Sequence, residues 1–150
     1  VSEGRLSSES KLQIREMLRE VTEIESIGDS CYNLARTINR KRRGNIDFTE
    51  KQYEHIHQMF GLTDSALTQM IALVEDVHHT VDVNKSFNIE NEINNYRNEL
   101  KNQNIIDVNN KEYSYQMGIH YMDIIGECEK LGDYVVNVVE AHSDVKEKKA

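Results

Sequence analysis

The chain has 150 residues, seven glycines, no proline, two cysteines and a formal net charge of -8. That length supports one domain with its own core, and the absence of proline lets helices run long. The acidic balance excludes a surface that grips nucleic-acid phosphates, which needs clustered Lys and Arg; no run approaches the ~20 apolar residues of a membrane span, and no signal-peptide pattern opens the chain.

A first helix is expected to open near Ser7 or Ser8, whose hydroxyls can cap free amides, and to reach the basic cluster Arg40-Lys41-Arg42-Arg43 before Gly44. Ile14, Met17, Val21, Ile24, Cys31, Ala35 and Ile38 recur at helical spacing and form a stripe expected to face a partner. Thr49 with Gln52 reads as a capping-box start for a second helix, expected to end near Val83. A third, more polar helix is expected from about Ser86 to Gln103, with Ile89, Ile93, Tyr96 and Leu100 on one face. The asparagine-rich segment from Asn104 to Asn110 reads as a break. A fourth helix then carries Met117, Tyr121, Ile124, Ile125, Cys128, Val135 and Val139, and the tail Lys146-Glu147-Lys148-Lys149 is expected to fray. The fold class is therefore all-α, an antiparallel up-down bundle of about four long helices. Cys31 and Cys128 lie in apolar helical stretches without metal or redox spacing, and read as reduced core residues in a cytosolic setting.

One constellation occurs twice. Glu25, Gly28, Asp29 and Asn33 stand 104 positions before Glu129, Gly132, Asp133 and Asn137 (129 minus 25, 133 minus 29), and Glu23 precedes Glu127 by the same interval. A repeat at fixed offset suggests duplication. On a helix, residues four apart share one line beside the apolar stripe. Like charges at that spacing cost a few tenths of a kcal/mol, and a helical glycine about 1 kcal/mol relative to alanine, so helix stability alone does not favour the motif. Two roles offset the cost: the glycines admit a close helix, and the carboxylates supply hard oxygen ligands for a cation, with the asparagines in support. The competing reading makes them solvated edge residues or partners of Lys and Arg on neighbouring helices.

These positions resemble the PhoU family, whose two related helical repeats each carry an acidic Glu-x-x-x-Asp motif that typically continues to Asn. Glu25, Asp29, Asn33 and Glu129, Asp133, Asn137 match it, and Glu90 with Glu92-Ile93-Asn94 stands where an acidic, Ile, Asp segment usually precedes the second motif. Asn94 replaces that Asp, and Ser26-Ile27 and Lys130-Leu131 replace the family's usual Arg-containing link. The resemblance runs from about Ser8 to Ala141 and lacks the helix that normally precedes the first motif helix. With a start that is not Met, it implies a single PhoU-like domain cut from a longer membrane protein, similar to the cytoplasmic C-terminal domain of bacterial Na⁺/phosphate cotransporter-related proteins. It implies a regulatory domain of phosphate transport on the cytoplasmic side of the inner membrane. The partner would be the transmembrane transporter domain of the same polypeptide, with no nucleic acid. The metal ligands would be Glu25, Asp29, Glu129 and Asp133, supported by Asn33 and Asn137, for Mg, Mn, Fe or Zn.

Other chemistries fit less well. A di-iron bundle needs two Glu-x-x-His motifs, and only Glu75-Asp76-Val77-His78 provides one. No nucleophile elbow, phosphate-cradling loop or triad pattern occurs, so no enzyme is expected. The alternative function is a stand-alone oligomerisation or phosphate-signalling module without metal, in which a second copy covers the groove left by the missing helix.

Overall fold

A computed structural model describes residues 7 to 147 and consists of four α-helices: α1 (Ser8–Arg43), α2 (Glu50–Val74), α3 (Asn84–Asn109) and α4 (Tyr115–Glu147). Lys148 and Lys149 of the expected fraying tail lie outside the described residues. Two starts follow their sequence signals. The Ser7 hydroxyl accepts from the Ser10 amide, and Thr49 and Gln52 form the reciprocal capping box. At the start of α4 the Ser114 hydroxyl accepts from the Met117 amide at 3.1 Å.

Two helix ends differ from expectation. α2 stops at Val74 rather than near Val83, because Asp76 diverts the following backbone: its carboxylate accepts from the Val81 amide at 2.8 Å and the Thr80 hydroxyl at 3.2 Å. α3 instead runs through the asparagine-rich segment to Asn109. There the turn is made by Lys111 at φ 59°, with Glu112 N–H bonded to Asp107 O and Lys111 N–H to Val108 O. α1 ends the same way around Asn45 at φ 53°, with Ile46 N–H on Lys41 O. Both are Schellman ends with a non-glycine residue in the left-handed position.

α4 is the hub, packing against the other three helices, while α2 also packs on α3; α1 packs along α4 and reaches α2 only near its C-terminal end, where Lys41 Nζ donates to the Tyr53 hydroxyl at 2.6 Å. The bundle is thus a three-helix unit, α2–α3–α4, with α1 laid antiparallel along the outside of α4. The core draws Ile56, Met59, Ile93, Tyr121, Ile125, Cys128, Val135 and Val139 from α2, α3 and α4. α1 gives it Ile27, with Leu34 packed beside it. The stripe expected to meet a partner faces solvent instead: Ile14, Met17, Val21, Ile24, Cys31, Ala35 and Ile38 are exposed, because α4 takes the other side of α1 along Ile27, Ser30 and Leu34. Cys31 is accordingly not a core residue, whereas Cys128 is buried, and burial above all pushes its thiol up to about 12.

Candidate functional site

The second motif builds a site between α3 and α4. Gly132 lets the helices close here, since a Cβ on it would stand 3.3 Å from Ile93 Cδ1. That approach brings the α4 carboxylates to α3. Glu129 Oε2 pairs with Arg97 Nε at 2.9 Å, both side chains about 30% exposed. Contact is made without good hydrogen-bond direction at Nε, so the pair is chiefly coulombic. One turn along, Asp133 faces Glu90, whose Oε1 also accepts from Asn94 Nδ2 at 2.7 Å.

Two carboxylates this close compete for ionisation. The Asp133 carboxyl is pushed up to about 6, first by partial burial, then by a hydrogen bond with Glu90, and further by the charges of Glu129 and Glu90. As a residue Asp133 remains largely open to water, so a cation or a proton reaches it freely. A proton on Asp133, or a cation beside it, would each relieve the repulsion from Glu129 and Glu90.

The first motif is placed differently. Glu25, Asp29 and Asn33 are exposed on the side of α1 turned away from α4, and a Cβ on Gly28 would meet nothing within 4 Å. The two copies therefore do not meet in one site. The asparagines part too: Asn137 leaves its own motif and donates Nδ2 to Glu23 Oε2 across the α1–α4 interface at 3.2 Å. In the reverse sense Ser30 Oγ donates to Glu127 Oε1 at 2.8 Å. Glu23 and Glu127, the other pair at the 104-residue offset, thus tie the two motif helices together.

Among the described residues, no three His, Cys, Asp or Glu side chains form a group placed to hold a metal ion. The donor set at α3–α4 fits a cation in part: Glu90 and Asp133 offer apposed hard oxygens, while Glu129 is turned to Arg97. Arg97 had no distinctive sequence signal, because its role arises only when α3 and α4 are brought together. Glu90 was legible only through the resemblance.

The PhoU domain family matches residues 56–141, which takes in most of α2, all of α3 and α4 as far as Ala141. The matched segment contains Glu90, Glu129, Asp133 and Asn137; Glu25, Asp29 and Asn33 precede it. No curated protein and no solved structure matches the chain.

Proposed function

Since the chain belongs to the PhoU domain family, we propose that it is a regulatory domain of phosphate homeostasis that senses cation or proton occupancy at the Glu90–Asp133 pair. The family match over residues 56–141 carries the reading, and the apposed carboxylates supply the chemistry. In the fuller form of the proposal, the domain works at the cytoplasmic side of the inner membrane, attached to a sodium-dependent phosphate transporter. It is a binding domain and not an enzyme. No helix among the described residues is long and apolar enough to cross a membrane.

A divalent ion at α3–α4 would be held by Glu90 and Asp133, and would keep water at most other positions, as Mg²⁺ commonly does. In the proposal its chemistry is charge neutralisation, drawing α3 and α4 together where Asp133 otherwise needs a proton. Glu25 and Asp29 would complete a second, related site only with a further element on the open side of α1.

The test has two arms. Elemental analysis after dialysis against Mg²⁺, Mn²⁺, Fe²⁺ or Zn²⁺ should find metal on the parent and none on Glu90→Gln/Asp133→Asn, with Glu25→Gln/Asp29→Asn unchanged. Phosphate uptake in cells carrying the intact gene should lose its response to phosphate supply when the same pair is replaced. Uptake control that survives the double substitution would sink the regulatory role of this pair.

The exposed apolar residues of α1 favour a second reading, a self-association module. Leu18 is 62% exposed and Met17 54%, beside Ile14, Val21 and Ile24. Light scattering separates them: a dimer that becomes monomeric in Met17→Lys/Val21→Lys supports self-association, and a monodisperse parent monomer refutes it.

A further inference from the structure

α1 carries an interface pattern that its contact with α4 does not use. From Ile14 to Ile38, apolar or small residues are spaced three, four, three, four without a break at eight positions, and every one of the eight is exposed. Unbroken alternation of three and four over more than three heptads is the seam of a two-stranded coiled coil. α4 covers a different side of α1, along Ile27, Ser30 and Leu34. The seam is therefore open to a second helix.

Side-chain size along the seam decides what that helix is. The first half is large, from Ile14 to Ile24, and the second half is small at Gly28, Cys31 and Ala35 before Ile38. A copy of α1 laid antiparallel about Ser26 sets Ile14 against Ile38, Met17 against Ala35, Val21 against Cys31 and Ile24 against Gly28. Large then meets small in the three inner layers, which evens the volume of the packed core. A parallel copy in register would set Gly28 on Gly28 and Ala35 on Ala35, leaving voids.

Charge points the same way. From Ser30 to Arg43 α1 has five basic residues and no acidic one, whereas from Ser8 to Glu25 it has five acidic and three basic. Antiparallel pairing brings the basic end of each copy to the acid-rich end of the other, and parallel pairing would stack two basic ends. On the open flank Leu18 and Tyr32, 62% and 65% exposed, come side by side from opposite copies. Glu25 is the unfavourable match, close to its own copy at the axis, and water on that flank screens it.

We propose that two copies of this chain associate through α1, antiparallel about a two-fold axis at Ser26. The proposal rests on the reading of α1 as a self-association surface, and adds the partner helix, its direction and its register. Such an arrangement uses the same patch on both copies and closes at two.

Light scattering and disulfide trapping on the whole chain test it. The parent should have twice the mass of one chain. Val21→Cys, oxidised by dissolved oxygen, should give a covalent dimer whose peptides join position 21 of one copy to Cys31 of the other. Within one α1 these positions lie ~15 Å apart, out of disulfide reach, so that bond forms only between copies. The oxidised parent should stay unlinked, because the two Cys31 thiols would be about as far apart. Gly28→Leu should weaken the dimer at least ~10-fold with helicity unchanged, since a side chain there meets nothing within its own chain; alanine, as small as Ala35, would still fit. A parent that is monomeric at every concentration overturns both the proposal and the self-association reading. A dimer that links Cys31 to Cys31, or whose Val21→Cys variant forms no bond to Cys31, overturns the antiparallel pairing and leaves self-association standing.

Discussion

Ser30 Oγ donates to Glu127 Oε1 at 2.8 Å across the α1–α4 interface, with Ser30 only 1% exposed. The same hydroxyl lies 3.3 Å from Glu127 O, so it is held at the one place where α1 has a buried polar side chain. A hydrogen bond to a charged group contributes about 1.5–3 kcal/mol. Ser30→Ala should therefore cost about 2 kcal/mol, read as a lower urea midpoint at unchanged slope. A cost within ~0.3 kcal/mol would mean that Glu127 finds water instead.

The raised Asp133 pKa makes a signed pH prediction. The folded chain binds this proton more tightly than the unfolded chain, whose Asp titrates near 3.8. Its contribution is fully present below that value, and is lost as pH rises through about 6. Asp133→Asn should remove this slope and be stabilising at pH 7 by at most about 1 kcal/mol, since water screens so open a group. Thermal melts of parent and variant between pH 4 and 7 check it; parallel curves would show that the Asp133 carboxyl is not raised in the folded chain.

Two helical glycines, Gly28 of α1 and Gly118 of α4, should respond oppositely to alanine. Gly28 meets nothing, so Gly28→Ala should raise stability by about 1 kcal/mol through helix propensity. At Gly118 a Cβ would stand 2.9 Å from Val108 Cγ2 and 3.1 Å from Asn104 Oδ1, so Gly118→Ala should cost about 1–3 kcal/mol. Calorimetric melting of both variants decides; a destabilised Gly28→Ala would mean that the outer face of α1 is covered in solution.

Lys111 holds φ 59° at the end of α3, a conformation that costs a residue with a Cβ about 1–2 kcal/mol. Lys111→Gly should recover about 1 kcal/mol, less the entropy that glycine adds to the unfolded chain. Loss of stability would point to a contact of the lysine side chain that outweighs backbone strain.

Which parts of the fold were legible follows from how local their causes are. The Ser7 cap and the Thr49–Gln52 box need only residues three apart, and both occur as read. The end of α2 at Val74 and the extension of α3 to Asn109 were hidden for a corresponding reason. Neither Gly nor Pro occurs between Leu62 and Met117, and the stops are made by an Asp76 side chain and by a lysine in the left-handed region.

The sequence by itself determined the all-α class, the starts of α1 and α2 and the duplicated acidic motif, because periodicity, capping and repetition are properties of neighbouring residues. Only the tertiary structure decided that identical motifs have unlike surroundings. α3 closes on Gly132 and sets Glu90 against Asp133, whereas nothing among the described residues closes on Gly28, so Glu25 and Asp29 stay in water. Burial and the nearness of another charge, which set a carboxylate's chemistry, depend on which helix lies alongside, and that is not written in the motif itself.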